Sequence, residues 1–402
     1  MTALATTRTV RLAIVLSHPT QYYSPWFRWM QAHTDLKIRV FYLWQFGVQP
    51  TRDRQFQATF KWDVDLLSGY EHEFVPNTSA DPGTHRFTGL RNPELPARLR
   101  AWKPDVILLF GYKSISQMRA LLWARLHRVP LIFRGDSHLL GREKLPARSR
   151  LVLRFLYAQF AAITYVGAAN LDYFHALGVS AEKLFFAPHT VNDALFDPTK
   201  PGLREAATAL RSQLGLGGDT RVLLYAGKLV PAKQPRELLA AFLAVRPSNS
   251  ALVFVGDGEE KPALVELART APPGAVHFLP FANQSEMPSR YAMADILALP
   301  SRGYYETWGL AVNEAMHLGV PAIVSDRVGC QRDLVTDGET GWVFRAEEPV
   351  HLHDRLADAL RADLDAFRSQ VATRIAGYTY RQASEGLIRA VGFATHQNST
   401  TP

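Results

Sequence analysis

Two carboxylates in the stretch ETWGLAVNE, Glu306 and Glu314, are separated by seven residues. A helix is expected over residues 309–318, because Gly319 can end it and Pro321 prevents its continuation. Glu306 then lies in the loop before the helix and Glu314 in its second turn, so they are not a pair on one helix face. A carboxylate in that turn can accept hydrogen bonds from a vicinal diol such as ribose, and a loop carboxylate can do the same for another sugar.

The loop between the two glutamates is a candidate anion site. It presents backbone N–H groups at the start of a helix, where the helix dipole also favours negative charge. The candidate binding residues here are Thr307, Trp308, Gly309 and Leu310. Because the dipole also attracts acidic side chains, a helix start that merely carries solvated acids remains the alternative.

Two lysines follow the candidate strand RVLLYAG, which ends at Gly227. Lys228 stands at the carboxyl edge of the expected sheet, and Lys233 lies close to the start of the next helix. Two ammonium groups at one rim can neutralise a diphosphate. The GxxxxGK[ST] spacing of a Walker loop is missing, and two exposed lysines on a loop remain the alternative.

A glycine turn, VGDGEE, follows the next candidate strand and contains Gly256 and Gly258. Small residues there permit a close approach of the backbone to a ligand. A tight turn without a ligand is the favoured alternative, because the GxGxxG pattern of a hydride-transfer dinucleotide site is missing.

Three polar residues end strands in the first half of the chain. His18 follows the first strand, and Asp136 and His138 lie in RGDSH, after the strand VPLIF. All three would face a cleft at the carboxyl edge of the sheet, and the sequence does not decide between Asp136 and His138. A hydrogen-bonded structural residue remains the alternative for either histidine.

Short apolar runs separated by helical stretches predict buried parallel strands that are covered on both faces. The candidate strands are residues 10–17, 37–44, 104–111, 129–136 and 161–166 in the first half, and residues 221–227, 250–258, 275–280, 294–301, 320–326 and 341–344 in the second. We therefore predict an α/β protein with two doubly wound, Rossmann-like domains and a ligand cleft between their carboxyl edges.

The domain boundaries follow from the Pro-, Gly- and Asp-containing linker at 191–202. We predict an N-terminal domain over 1–195 and a C-terminal domain over 203–375, with an amphipathic helix at 380–395 packing back on the first domain. Residues 46–97 are rich in Pro, Asn, Asp and Gly, and we interpret them as loops and short elements that form a wall of a site.

Composition restricts the class of protein. The chain has 402 residues, 47% hydrophobic and 20% charged, and no run approaches the ~20 apolar residues of a membrane span. Cys330 is the only cysteine, which fits a reducing, cytoplasmic compartment. The net charge of +8 suggests anionic ligands or surfaces without choosing among nucleotide, nucleic acid and lipid.

Several motifs together resemble the retaining GT-B glycosyltransferases of family 4 type. PSRGYYETWGLAVNEAMHLGVPAIVSDRVGC resembles their Glu-x7-Glu signature, LVTDGETGWVF the segment that follows it, AGKLVPAK their phosphate loop, VGDGEE their glycine turn and APHTVNDALFDP their linker. The motifs occur in the family's order over about residues 180–345. SHPTQYYSPWFRWM is similar to a subgroup whose opening turn carries His-Pro-Thr-Gln-Tyr.

The resemblance implies a role for each candidate residue. Glu314 would bind the ribose of a nucleotide-sugar donor, a UDP- or GDP-sugar, and Glu306 the transferred sugar. Lys228 and Lys233 would hold the diphosphate together with N–H groups near Trp308 and Gly309. The base would lie near Phe281. The acceptor would be a small molecule, a glycan or a lipid-linked molecule.

The resemblance also implies retention of configuration without a metal or another cofactor. In keeping with this, no Asp-x-Asp falls in a likely site loop: the one in WDVDLL lies in the irregular segment, and we interpret it as structural. The sequence departs from the family's pattern at two places, one on the donor side and one on the acceptor side. Lys228 stands where the family more often has Arg, which removes bidentate phosphate binding there. The first turn is SHPTQ, where glycines are usual.

Two other functions fit the same architecture. A nucleotide-sugar epimerase would convert the donor without any acceptor. A non-catalytic nucleotide- or carbohydrate-binding protein would catalyse neither epimerisation nor sugar transfer. Nucleic acid is the partner least expected, because the basic residues show none of the known motifs or aromatic interleaving.

A basic stretch lies in the N-terminal half, where residues 98–154 hold thirteen Lys/Arg and three Asp/Glu. Five of the basic residues surround an expected helix within 142–160: Arg142, Lys144, Arg148, Arg150 and Arg154. One hypothesis is weak contact with an anionic membrane, at the inner membrane face, or with an anionic acceptor. The alternative, which we favour from sequence, is a solvated basic face above a buried helix.

Overall fold

The computed structural model describes residues 9–49, 51–52, 59–142, 145–245, 248–303 and 306–399. The strands are β1 (Arg11–Leu16), β2 (Lys37–Tyr42), β3 (Thr51–Arg52), β4 (Thr59–Phe60), β5 (Glu71–Phe74), β6 (Val106–Phe110), β7 (Leu131–Arg134), β8 (Ala162–Tyr165), β9 (Leu184–Phe186), β10 (Arg221–Ala226), β11 (Ser250–Val255), β12 (Val276–Leu279), β13 (Ile296–Leu299), β14 (Ala322–Ser325) and β15 (Gly341–Phe344).

Helices separate most of these strands. They are α1 (Tyr23–His33), α2 (Leu95–Trp102), α3 (Ile115–Leu126), α4 (Ala147–Tyr157), α5 (Ala168–Ala176), α6 (Leu203–Gln213), α7 (Pro235–Val245), α8 (Lys261–Ala268), α9 (Met287–Ala292), α10 (Leu310–His317), α11 (Gln331–Leu334), α12 (Pro349–Arg361), α13 (Leu364–Ile375) and α14 (Tyr380–Ser399). No helix among the described ranges is both long and apolar enough to cross a bilayer.

Two separate parallel sheets organise the chain. The first has the order β5-β2-β1-β6-β7-β8-β9 and the second the order β12-β11-β10-β13-β14-β15. Each sheet has an apolar core on both faces, because its central strands are continuous runs of buried Val, Ile, Leu and Ala. The predicted α/β class and doubly wound sheets are confirmed.

The central strands lie where the sequence predicts them, and the described part of residues 46–97 contains loops and short elements, as expected. One of these short elements, β5, pairs with β2 at the edge of the first sheet, a strand that the sequence did not predict. The sequence of β5, EHEF, carries two glutamates and is only partly buried, so it has no apolar run. A three-residue strand that was not predicted, β9, forms the opposite edge.

The long C-terminal helix returns to the first sheet. Residues of α14 pack on β8, β9 and α1, and the buried indole of Trp26 donates a 2.9 Å hydrogen bond to the hydroxyl of Ser384. Gly386 permits this approach, because a Cβ there would lie 1.8 Å from the carbonyl oxygen of Phe186. Residues 191–202 contain neither helix nor strand and join the sheets.

Candidate active site

A cavity of about 530 Å³ lies between the carboxyl edges of the two sheets. The N-terminal half contributes residues after β1, β2 and β7, and the C-terminal half contributes residues after β10, β11, β12 and β13. Phe46 and Trp62, from the segment expected to form a wall of a site, line it on the N-terminal side. Enclosure by two sheet edges is the usual placement of ligands in such folds.

The two glycine turns of the C-terminal half meet at the floor of the cavity. Gly227 and Gly256 both line it and have positive φ angles of 158° and 142°. A Cβ at Gly256 would lie 2.0 Å from the carbonyl oxygen of Gly227, so a side chain there would separate the turns. The backbone of both turns therefore borders the cavity directly.

Lys228 and Lys233 also line the cavity, at the same rim. A 3-10 helix at Pro231–Lys233 carries the second lysine to the loop that follows β13. Its Nζ lies 2.6 Å from Oε2 of Glu306. The cationic groups predicted from sequence are thus brought to the same cavity as both glutamates.

The carboxylate of Glu306 is fixed by two donors. Its Oε2 accepts a hydrogen bond of 2.6 Å from Lys233 and one of 2.7 Å from the hydroxyl of Ser301. These bonds occupy one carboxylate oxygen and orient the group at the cavity wall. The loop placement predicted for Glu306 agrees with the start of α10 at Leu310.

The amides between the glutamates border the cavity, as do all four candidate residues of this loop. Gly309 has a φ of 106° and immediately precedes α10. The indole of Trp308 is buried and donates a 2.7 Å hydrogen bond to Oδ1 of Asn313, which holds the loop on the helix.

Glu314 is 4% exposed, and its carboxylate accepts from two side chains of the same domain. The hydroxyl of Tyr291 donates to Oε2 at 2.7 Å, and the amide of Gln284 donates to Oε1 at 3.1 Å. Burial raises the pKa of Glu314, and the hydrogen bonds from Tyr291 and Gln284 oppose that shift. Tyr22, from the N-terminal half, lines the same cavity as this carboxylate.

Asp136 is an acidic residue of the N-terminal half that lines the cavity. Its Oδ2 accepts a 2.8 Å hydrogen bond from the hydroxyl of Thr307, across the domain boundary, and lies 3.4 Å from Nε2 of His189. Burial opposes ionisation of Asp136, but the contacts with His189 and Thr307 outweigh it and lower its pKa to about 2.

His189 is a cavity residue that sequence analysis missed. It lies in APHTVND, directly after β9 and before the linker, and its ring is 4% exposed. Burial lowers the pKa of His189, and the neighbouring carboxylate of Asp136 opposes that shift. Its position after the last strand of the first sheet was the available signal, but β9 was not predicted.

Neither of the two predicted N-terminal histidines is among the described residues lining the cavity. The ring of His18 packs edge-on against Trp44 and Phe46, and burial lowers its pKa to about 4. The Nδ1 atom of His18 lies 3.0 Å from the hydroxyl of Ser17.

His138 contacts the loop of Glu306 through the backbone. Its Nδ1 accepts from the amide of Leu140 at 3.1 Å, so Nε2 carries the proton and donates to the carbonyl oxygen of Glu306 at 3.2 Å. Of the two candidates in RGDSH, Asp136 faces the cavity and His138 positions its wall.

Part of the cavity lining is apolar. Phe281, Ala282 and Met287 line it after β12, together with Leu299 at the end of β13. This surface adjoins Glu314 through Tyr291, and its flat apolar groups suit a planar ring. The residue predicted near a base, Phe281, therefore borders the same cavity as the predicted ribose ligand.

Both acids of the Asp-x-Asp sequence make local or domain-bridging hydrogen bonds. Asp63 accepts from the backbone N–H of Ser285 at 3.2 Å and from the hydroxyl of the same residue. Asp65 accepts from the backbone N–H groups of Leu67 and Ser68 and pairs with Arg28.

Comparison with known families gives two adjoining matches. The family described as Glycosyl transferases group 1 matches residues 207–377, and the family described as Glycosyl transferase 4-like domain matches residues 71–189. The two matched segments fall on the two sides of the linker and carry most strands of each sheet.

Curated relatives bear the name D-inositol 3-phosphate glycosyltransferase. The protein of Nocardia farcinica is 32% identical over 48% of this chain, and the match spans 45% of that relative. The protein of Xylanimonas cellulosilytica is 28% identical over 77% of this chain and 77% of its own length. The chain thus spans about half of the length of the first of these relatives.

Solved structures share the fold at low sequence identity. HepE of Anabaena in complex with UDP has a TM-score of 0.68 at 19% identity and covers 95% of this chain and 99% of its own. WaaG, a glycosyltransferase involved in lipopolysaccharide biosynthesis, has a TM-score of 0.61 at 16% identity and covers 96% and 99%. These likenesses confirm the predicted GT-B architecture of two facing Rossmann-like domains.

Proposed function

We propose that this chain, a member of the group 1 glycosyltransferase family, transfers a sugar from a nucleotide-sugar donor to an acceptor hydroxyl or amine. The observation that carries the proposal is the joint lining of one cavity by Glu314, Glu306, Lys228 and Lys233. These groups match the parts of a nucleotide-sugar: Glu314 the ribose, the two lysines the diphosphate and Glu306 the transferred sugar.

Donor binding is assigned to the C-terminal half. The base lies on the apolar surface at Phe281, the ribose hydroxyls donate to Glu314, and the diphosphate meets both lysines and the amides from Thr307 to Leu310. The diphosphate leaves with negative charge, which these cations and amides stabilise more strongly in the transition state than in the bound donor.

A UDP- or GDP-sugar is the proposed donor class. Support for UDP comes from the fold: the structurally similar HepE of Anabaena has been solved with UDP and with UDP-glucose. The cavity of about 530 Å³ has the size of an ordinary small-molecule site. The relatives' name makes D-inositol 3-phosphate the first acceptor to test.

We assign Glu306 to orientation of the transferred sugar. Its Oε2 already accepts from Lys233 and Ser301, which leaves Oε1 for sugar hydroxyls. A carboxylate that is paired with an ammonium group is a weak nucleophile. We therefore assign retention of the anomeric configuration to attack by the acceptor from the same face that the diphosphate leaves. The acceptor oxygen bonds to the anomeric carbon as the bond to phosphate breaks, and the acceptor proton passes to the departing phosphate oxygen.

Metal independence is part of the proposal. The groups that would replace a metal as diphosphate ligands are Lys228, Lys233 and the start of α10. Among the described ranges no three His, Cys, Asp or Glu side chains cluster in a way that could hold a metal ion. Transfer should therefore survive chelation of divalent cations by EDTA.

The first experiment is a thermal-shift screen with UDP-, GDP-, ADP-, CDP- and dTDP-sugars, because a ligand that binds only the folded chain raises its melting temperature. One uridine or guanosine donor should stabilise the protein, and adding an acceptor should yield a product with the donor's anomeric configuration by NMR. No stabilisation by any donor contradicts the proposal. Conversion of the donor without acceptor would indicate an epimerase, and binding without transfer or hydrolysis a non-catalytic protein.

A further inference from the structure

The helix α4 presents apolar side chains to the outside of the N-terminal half. Leu151, Val152 and Phe155 are exposed to 71%, 66% and 73%, and Tyr157 is the one residue of α4 that is buried. The arginines of α4 are exposed, as the sequence-based preference for a solvated basic face expected, but the helix that carries them is not buried. Exposed large apolar side chains in a group mark interaction surfaces rather than ordinary solvated helix faces.

These side chains belong to a groove between α4 and α3. The groove measures about 710 Å³ and is lined by Phe87, Leu122, Val152 and Phe155 among others. Leu126, one turn after Leu122, extends the apolar face along α3 and is 81% exposed. We call this surface, made of the exposed faces of α3 and α4 and of Phe87, the α3–α4 face.

The charge on the α3–α4 face has one sign. The two helices contain five arginines and no Asp or Glu: Arg119, Arg125, Arg148, Arg150 and Arg154. Among the described residues no acid pairs with Arg125, Arg148, Arg150 or Arg154. Of the basic residues noted in the sequence, Lys144 lies outside the described residues.

The arginines at the start of α4 are not explained by helix stability. Arg148 and Arg150 lie in the first two turns, where positive charge opposes the helix dipole, and no side chain caps this end. Their charge is unfavourable for the isolated helix and becomes favourable when an anionic surface lies against it.

The position of the face relates it to the cavity. Tyr112 and Lys113, which line the groove, directly follow β6 at the carboxyl edge of the first sheet. Asp136 follows the neighbouring strand β7 at the same edge and lines the cavity. A surface held by the α3–α4 face would therefore adjoin the N-terminal side of the cavity.

We propose that the α3–α4 face docks on an anionic phospholipid bilayer. The arginines contact lipid phosphates, while Val152, Phe155 and Leu122 enter the boundary between headgroups and acyl chains. Charge complementarity selects this occupant, since a second copy paired about a two-fold axis would bring two acid-free arginine clusters together. The inference concerns a surface outside the donor cavity and does not rest on the proposed reaction.

Vesicle flotation tests the docking with the full chain. The protein should float with phosphatidylcholine vesicles that contain phosphatidylglycerol, should not float with pure phosphatidylcholine, and should be released by high salt. Arg148→Glu with Arg150→Glu should lower the partition by at least about 10-fold, because each basic residue at such a surface contributes roughly five-fold. Val152→Ser with Phe155→Ser should lower it on the order of 10-fold.

Matched substitutions on the C-terminal half provide the control. Val350 is 71% exposed and Arg361 is exposed, so Val350→Ser and Arg361→Glu change the same types of group elsewhere. They should leave flotation unchanged, and all variants should keep the wild-type melting temperature. The proposal is overturned if the protein does not float with anionic vesicles at low salt, or if the control variants lose flotation as much as the face variants do. It is also overturned if the protein does not bind vesicles but forms a concentration-dependent dimer that the face variants abolish.

Discussion

Lys233 and Glu306 form an ion pair at the rim of the cavity, with 2.6 Å between Nζ and Oε2. The lysine is thus placed between the position assigned to the diphosphate and the carboxylate assigned to the sugar. The pair is 28% and 11% exposed, so water weakens it less than it weakens a surface ion pair. This arrangement gives the two lysines of the phosphate rim different expected roles.

Lys228→Met should weaken nucleotide binding, and Lys233→Met should weaken binding and also slow transfer. Each substitution removes a charged hydrogen bond to phosphate, worth about 1.5–3 kcal/mol or roughly 10- to 100-fold in Kd. Loss of Lys233 also leaves Glu306 without its ammonium partner. Calorimetry with UDP and steady-state rates separate the two effects, with the exposed Lys200→Met as control. If both variants changed Kd by the same factor and kcat by the same factor, the two lysines would not have different roles.

Glu306→Gln should lower kcat while the Kd for UDP stays within about two-fold. The substitution keeps the size of the side chain and removes the charge that orients the sugar, so it acts on the sugar and not on the nucleotide. We expect a loss of kcat on the order of 100-fold, the scale of removing one positioned charged group. A parallel loss of UDP affinity would place Glu306 at the nucleotide instead.

His138→Gln should reduce kcat less than Glu306→Gln and leave the Kd for UDP unchanged. His138 contacts the backbone of Glu306 and not the cavity, so its removal loosens the loop by one hydrogen bond, worth about 1 kcal/mol. The expected effect on kcat is therefore about five-fold. His18→Gln serves as a control, since its ring packs against Phe46 and is not among the described residues that line the cavity, and a larger loss of kcat there would restore His18 as a functional candidate.

Acid should weaken donor binding through Glu314. Burial raises the pKa of Glu314 above its ordinary value of 4.5, so on acidification it protonates before an exposed glutamate does. A protonated carboxyl offers fewer acceptors to ribose, so the affinity for a UDP-sugar should fall as the pH drops from neutral towards the raised pKa. The diphosphate of a nucleotide-sugar does not titrate in this interval. Glu314→Gln should bind more weakly at neutral pH and show no such decline, and an unchanged pH profile in that variant would exclude this cause.

The fold and the C-terminal side of the cavity were predictable because they depend on local patterns. Buried parallel strands are continuous apolar runs, and the loop position of Glu306 and second-turn position of Glu314 follow from where α10 begins and ends. Side chains that follow such strands must meet at one sheet edge. This reasoning brought Lys228, Lys233 and both glutamates to a single rim.

The N-terminal side was less predictable, because its contacts join residues distant in sequence. His189 meets Asp136 only because β9 is the edge strand of the first sheet, and a three-residue strand carries little periodic signal. The direction of the His18 ring depends on its packing with Trp44 and Phe46, which no local pattern encodes. The exposure of α4 depends on whether another part of the chain packs over it, and no local sequence pattern shows this.

The most direct test of the proposed donor site is calorimetric binding of UDP, or of GDP if the donor screen selects it, to Glu314→Ala. The account predicts a Kd at least about 10-fold weaker than that of the wild type, because the ribose loses its charged acceptor. The exposed Glu339→Ala should bind normally, and circular dichroism should show that both variants are folded. A folded Glu314→Ala variant that binds the nucleotide with wild-type affinity would contradict the ribose assignment and, with it, the proposed orientation of the donor in the cavity.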